Sequence, residues 1–243
     1  MFLIKADHDR RLEIPGVPGL VRRPVDIDQS RTGFATLRTL RIYRFDAESV
    51  INGHAEEDEV FIVVLNGSVD LTMRSDNWPD SQRHFRLAAA SESLNATCAA
   101  YLPPHAAYQL IPRSDADTAY ARATPVGSRP PMVCIPRVRE KSAGVTVLLD
   151  ETTHAERLRI RLLQIDTQQV DVALAPIRES ETLCEALVHI RTVPAQGVAT
   201  MTRADAAPMT IDSWDTVSVA PGDSPTLRIV TGSSALAFIT MAA

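Results

Sequence analysis

The stretch Gly53 to Gly67, GHAEEDEVFIVVLNG, sets a histidine and four acidic residues (His54, Glu56, Glu57, Asp58 and Glu59) against the apolar run Val60 to Leu65, which Asn66-Gly67 closes. A short run of Val, Ile and Phe ending on Asn-Gly predicts a strand that enters a hairpin turn. Side chains able to bind a metal or move a proton therefore stand at the mouth of a buried strand. Acids before a strand also make a plain solvated turn, so the rest of the chain has to choose between the two readings.

Working outward, Val69, Leu71 and Met73 alternate with Ser68, Asp70 and Thr72, the period-two pattern of a half-buried strand. Upstream, an irregular arm containing Pro15, Pro18 and Pro24 leads to Leu37–Phe45, where β-formers are interleaved with Arg38, Arg41 and Arg44. Downstream, His84 to Ala89, Ala106 to Ile111 and Thr118 to Ala123 are further short strands, and no window here has the period of an amphipathic helix. Evenly spaced strands punctuated by Pro, Gly and Asn predict an all-β sandwich or barrel.

Between Thr124 and Gly144 the composition shifts to Pro125, Gly127, Pro130, Pro131 and Pro136 with Arg137, Arg139 and Lys141. This predicts a crossing segment over 125–144 between an N-terminal barrel over 1–124 and a C-terminal barrel over 145–243. The strand rhythm then restarts: Leu158, Ile160 and Leu162 alternate with arginines, followed by runs at 170–174, 186–191, 198–203, 216–220, 227–230 and 235–241. EVFIVVLNGSVDLTM from Glu59 can be laid on EALVHIRTVPAQGVATMTR from Glu185, and YLPPHAAYQL from Tyr101 on SVAPGDSPTL from Ser218. An internal repeat of that kind predicts a duplicated β-barrel.

The 243 residues, 45% hydrophobic and 23% charged, are enough for two packed domains and argue against disorder. A net charge of -5 and a pI near 5.7 argue against a nucleic-acid partner held by bulk electrostatics. Lys5 and Lys141 are the only lysines, an arginine bias read as base composition of the genome rather than as a ligand signal. The N-terminus lacks the apolar core of a signal peptide and no later segment approaches a membrane span, so the expected location is cytoplasmic. Cys98, Cys134 and Cys184 are far apart and form no CxxC, which predicts buried hydrophobes rather than disulfides or a zinc knuckle. No Ser-His-Asp triad, P-loop or Rossmann fingerprint is present.

His54-x4-Glu59, followed by an apolar strand and a glycine turn, resembles the first signature of the cupin β-barrels. The order RTGFATLRTLRIYRF, HAEEDEVFIVVLNGSVDLTM, YLPPHAAYQLIP and VCIPRV resembles the first barrel of the 5-deoxyglucuronate isomerases of myo-inositol breakdown and their deoxyuronate-isomerase relatives. The end, WDTVSVAPGDSPTLRIVTGSSALAFITMAA, is similar to the close of their second barrel. The resemblance implies an all-β, two-domain bicupin of tandem jelly-roll barrels. It further implies a protein that acts on a small sugar acid by aldose-ketose isomerisation or an epimerase-like proton transfer. The alternative is a non-catalytic bicupin that binds a metabolite or serves as a partner subunit. A small sugar acid is the expected partner, with self-association open and neither nucleic acid nor membrane expected.

In that family the second barrel holds the metal through a His-x-His pair, a glutamate and a later histidine. Here Arg178, Glu179, Ser180 and Glu181 stand at the pair, Glu185 keeps the glutamate, and Asp223 and Ser224 stand at the last position. The resemblance thus implies no metal in the C-terminal barrel, with Glu185 beside a ligand cavity; His189, mid-strand, reads as a packed or surface residue rather than a replacement ligand. In the N-terminal barrel His54 and Glu59 occupy cupin-like positions, Asn52 stands where a first histidine would and Tyr108 where the last would. His105 and Glu57 are spare ligand-binding candidates. These residues could hold one divalent metal through His54 and Glu59, form a metal-free acid-base pocket of His54, Glu59 and Tyr108, or line a turn without chemistry. His54 and Glu59 are an odd number of residues apart, so a regular strand would send them to opposite faces. The expectation that they share the barrel mouth with Tyr108 requires the intervening AEED to turn or bulge.

Overall fold

The computed structural model describes residues 1–78, 83–90, 97–134, 139–142, 144–151, 154–166, 170–171, 184–193, 197–203, 206–230 and 233–242. Among them the runs of β-branched and aromatic residues are strands, and helix is confined to the single turn Gln29–Thr32 (α1), capped by the Asp28 carboxylate. No helix among the described residues is long and apolar enough to cross a membrane. The all-β expectation holds.

The chain divides into an N-terminal unit, Asp7–Pro136 with Thr153–Leu158, and a C-terminal unit, Met1–Ala6 with Arg137–Thr152 and Arg159–Ala243. The larger sheet of the N-terminal unit runs, in spatial order, Met132–Cys134 (β12), Ala99–Leu102 (β9), Glu59–Asn66 (β6), Ala116–Ala123 (β11), Leu37–Phe45 (β4), Leu20–Asp28 (β3) and Arg11–Glu13 (β2). Its smaller sheet runs Ile51–His54 (β5), Ala107–Pro112 (β10), Ser68–Arg74 (β7) and Arg83–Ala88 (β8).

β6 lies between β9 and β11 and is buried on both faces, which is why Val60 to Leu65 reads as an unbroken apolar run rather than an alternation. Val60, Ile62 and Val64 point into the barrel with Val69, Leu71 and Met73 of β7. On the other face Phe61 meets Tyr101, and Tyr101 meets the His154 ring. The Asn66-Gly67 turn needs its glycine: φ there is 72°, and a Cβ would collide with the Asp115 carbonyl oxygen. Asp70, on the outward side of β7, is buried and accepts hydrogen bonds from Arg86 Nε at 3.0 Å and Arg113 Nε at 2.6 Å. Burial works to raise its pKa, but those hydrogen bonds outweigh burial and hold the carboxyl below its usual range.

The C-terminal unit repeats this plan. Its larger sheet runs Phe2–Ile4 (β1), Thr216–Val219 (β20), Glu185–Val193 (β17), Ser234–Ala242 (β22), Leu158–Ile165 (β15), Val145–Glu151 (β14) and Arg139–Ser142 (β13). Its smaller sheet runs Val170–Asp171 (β16), Thr226–Ile229 (β21), Val198–Thr202 (β18) and Met209–Asp212 (β19). Strand for strand, β13 to β22 stand where β2 to β11 stand in the first unit. The one exchange is at the edge, where β1 pairs with β20 in the place that β12 takes beside β9. Lys5 fastens that N-terminal strand through Asp212 at 2.6 Å and Asp215 at 2.8 Å. The segment expected to be a crossing supplies two strands, β12 and β13, one to each unit.

Val188, Ile190, Met201, Val217, Leu227 and Ile239 form much of the second core. His189 lies on the opposite face of β17, 1% exposed, with Nδ1 at 3.2 Å from Thr216 Oγ1 and Nε2 without a hydrogen-bond partner among the described residues. Burial first, and the Arg191 charge second, push its pKa down to about 3. The unfolded chain then takes up the proton before the folded one does. The stabilisation from the neutral ring is whole above about pH 6.5 and is lost as the pH falls toward 3, by up to about 1.4 kcal/mol per pH unit. Urea midpoints measured across that window are expected to fall with pH in the wild type and to fall less in His189→Gln.

Candidate functional site

The pleat of the N-terminal unit builds a cavity of about 230 Å³. Alternate residues of β4 point the same way, so Arg41, Tyr43 and Phe45 all line it. Tyr120 and Arg122 of β11 do likewise, with Tyr120 opposite Arg41 in the ladder. Asn52 of β5 and Tyr108 of β10 enter from the smaller sheet. Tyr108 lies across from Gly53, and a Cβ at Gly53 would run into its ring, so that glycine makes room for the phenol.

The aromatic rings pack on one another. Tyr43 stacks on Phe45 at 5.4 Å and meets Tyr120 edge-on at 5.4 Å, while Tyr120 lies 6.0 Å from Tyr108. The Tyr120 hydroxyl is buried beside those of Tyr108 and Thr118 and makes no well-formed hydrogen bond among the described residues, whereas the Tyr43 hydroxyl accepts from Arg23 at 3.3 Å. Burial pushes the Tyr108 phenol up to about 12, against the pull of the Arg122 charge, and raises the Tyr120 phenol well above its ordinary value. Both keep their protons at neutral pH and act as donors.

Two arginines supply positive charge. Arg41 gives its Nε to Asp26 at 3.0 Å, which leaves the two terminal amino groups of the fork for other acceptors. Asp26 is shared with Arg23 at 2.9 Å and with Arg10. Arg122 donates to the His54 carbonyl at 2.7 Å and lies 3.5 Å from Asp58 and 3.6 Å from Glu56, so the turn around AEED is tied to the cavity wall.

Of the residues nominated from sequence, Tyr108 lines the cavity; His54 and Glu59 do not. AEED does turn, with Glu56 at φ 56°, but the turn leaves His54 exposed, its Nδ1 accepting the Glu56 N–H at 2.9 Å. Glu57 and His105 are exposed as well, and the His105 N–H reaches the Glu56 carbonyl at 2.5 Å. Glu59 is wholly buried on the face of β6 opposite Val60 and Ile62. Its carboxylate accepts the backbone N–H groups of Glu156 at 3.0 Å, Arg157 at 2.9 Å and Leu158 at 2.5 Å. The odd spacing prevails: the pleat separates the pair, and the expected convergence at the mouth is corrected. Glu185 opens β17 in the C-terminal unit and is half-buried, on the side away from its core neighbours Ala186 and Val188. Arg178 to Glu181 lie outside the described residues.

Among the described residues no group of three or more His, Cys, Asp or Glu side chains could hold a metal ion. Both Glu59 oxygens and His54 Nδ1 already accept backbone N–H groups, so these residues do not fit the tentative divalent site. Sequence reading missed Arg41, Tyr43, Tyr120 and Arg122. The signal for them is the alternation Arg41-x-Tyr43-x-Phe45 and Tyr120-x-Arg122, polar and aromatic residues on the face of a strand that ought to be apolar.

No family model matches the chain, and no curated protein matches it. Solved structures do. An IolB-like protein from Salmonella typhimurium LT2 superposes with a TM-score of 0.72 at 18% identity, over 91% of this chain and 89% of that one. YlbA from E. coli gives 0.67 at 12% identity over 99% and 90%, and a variant of Bacillus subtilis oxalate decarboxylase gives 0.67 at 9% over 99% and 76%. At such identities the likeness is one of fold: the chain is an all-β protein with the cupin fold.

The geometry separates a structural carboxylate from an exposed histidine. Glu59→Ala is expected to lose on the order of 3 kcal/mol, because three backbone N–H groups, two part-buried and one buried, lose their acceptor. His54→Ala, at an exposed position, is expected to change stability by less than about 0.5 kcal/mol. Urea denaturation of the two variants checks both values.

Proposed function

We propose that the N-terminal barrel takes a small sugar acid into the tyrosine-lined cavity, with the ligand carboxylate on Arg41 and its hydroxyls on the phenols and Asn52. The observation that carries this reading is Arg41, held through Nε by Asp26 with no described residue accepting from its terminal amino groups, in a cavity whose Tyr120 hydroxyl makes no well-formed hydrogen bond among the described residues. A guanidinium fork matches a carboxylate with two parallel hydrogen bonds, and a partnerless buried hydroxyl is completed by a ligand hydroxyl. The volume of about 230 Å³ lies below the range of about 300–1,000 Å³ typical for larger ligands, which suits a compact acid.

The resemblance to 5-deoxyglucuronate isomerases and the fold shared with an IolB-like protein support a proton-transfer reaction on such an acid. In that reaction Tyr108, which keeps its proton, would donate to a substrate oxygen rather than serve as the base. A second reading, binding without turnover, is favoured by the lining itself, in which none of the described residues is a histidine.

Calorimetric titration with gluconate and glucuronate tests the reading. Arg41→Ala is expected to weaken binding by about 10- to 100-fold, the worth of a charge-assisted pair. Gly53→Ala is expected to weaken it as well, by pressing Tyr108 into the cavity while the fold survives. Absence of binding, or an Arg41→Ala variant that binds as well as the wild type, would overturn the proposal. Proton NMR of the same mixtures separates isomerisation from binding alone.

A further inference from the structure

The cationic end of this cavity is built around one carboxylate. Asp26, 11% exposed at its side chain, gives Oδ1 to Arg41 Nε at 3.0 Å and Oδ2 to Arg23 Nη2 at 2.9 Å and to Arg10. Arg23 reaches on with its other amino group, Nη1, to the Tyr43 hydroxyl oxygen at 3.3 Å, and its guanidinium stands 5.6 Å from the centre of the Tyr43 ring. Arg41 and Tyr43 are two residues apart on β4 and both line the cavity, whereas Asp26 does not. The two arms that leave Asp26 therefore end on the same face of one strand.

The second arm directs a proton. Arginine only donates hydrogen bonds, and a phenol has one hydrogen of its own to give. With Arg23 on its oxygen, the Tyr43 O–H turns away from that guanidinium, and no described residue accepts from it. The ring is clamped as well, between Phe45 stacked at 5.4 Å and Tyr120 edge-on at 5.4 Å. Asp26 also gathers more charge than it carries. Among the described residues Arg10, Arg23 and Arg41 form ion pairs with no other acid, so three positive charges meet one negative.

We propose that Asp26 is the positioning residue of the cavity: from outside the lining it sets Arg41 directly, and Tyr43 through Arg23, so that both donate to the same ligand. The inference rests on the sugar-acid reading above and adds to it a coupling between the two arms.

Calorimetric titration with gluconate tests it, because the sign of one effect separates position from charge. Asp26→Asn keeps the shape and one acceptor oxygen, but its amide nitrogen donates toward the arginines. Were Asp26 to act by charge alone, losing a negative charge beside three guanidinium groups would tighten gluconate binding. Lost position is expected instead to weaken it about tenfold, one decade in Kd. A double-mutant cycle tests the second arm. Tyr43→Phe is expected to weaken gluconate about threefold in the wild type and by almost nothing in Arg23→Met, where the phenol is no longer directed. The lost Arg23 charge is common to both Arg23→Met corners of the cycle and cancels. Thermal melts report the fold, and should Asp26→Asn not fold, the cycle, which leaves Asp26 in place, decides alone. Gluconate bound by folded Asp26→Asn as tightly as by the wild type or more so, or a Tyr43→Phe cost that is the same with and without Arg23, overturns this proposal and leaves the sugar-acid reading standing. A wild type that binds neither gluconate nor glucuronate overturns both.

Discussion

A barrel strand must send alternate residues inward, and the buried strand β6 decides which ones for the whole N-terminal unit. With Val60, Ile62 and Val64 committed to the core, the ladder through β11 and β4 leaves no freedom. Tyr120 comes level with Ile62 on one side and Arg41 on the other, and Arg122 comes level with Val60. The cavity wall is therefore a consequence of register. A slip of one residue in β11 would turn Tyr120 and Arg122 outward and bring Ala119 and Ala121 in their place, emptying the site of polar groups while leaving a plausible apolar core.

The same constraint explains what could and could not be read from the chain. Strand positions, the Asn66-Gly67 turn and the repeat are local signals, and they appear as β6, β7 and the matching sheet orders of the two units. Tyr108 was legible through the resemblance, which sets it where a last histidine would stand after the proline turn. The role of Glu59 was not: its three donors lie at 156–158, nearly a hundred residues on, in a segment whose own pattern says only that a strand follows. Pairing of β1 with β20 spans more than two hundred residues and is equally silent locally. Whatever Arg178 to Glu181 contribute belongs to residues outside those described.

The arginine content also takes on a structural meaning that composition could not show. Asp26, Asp58 and Asp70 each gather two or more arginines, and each is at most 11% exposed at its side chain. Such clusters are poor sources of net stability, since the charges give up water to meet. What they supply is direction. Arg41 is held by Nε and Arg122 by the carbonyl of His54, so both guanidinium planes are aimed by acids and carbonyls outside the cavity. Lysine has one nitrogen and could not be held at one end and used at the other.

Tyrosine rather than histidine among the described lining residues sets the chemistry that the cavity can do. A histidine there would offer a lone pair near neutral pH, to a metal or to a proton. Buried phenols at Tyr108 and Tyr120 offer the reverse, a proton held firmly against an apolar surround, with the raised pKa of each a direct result of that burial. A group of this kind stabilises negative charge or lone pairs on a ligand oxygen and is a poor acceptor of protons from carbon. The carboxylate that such a step would need is not among the described lining residues of the barrel strands beside them.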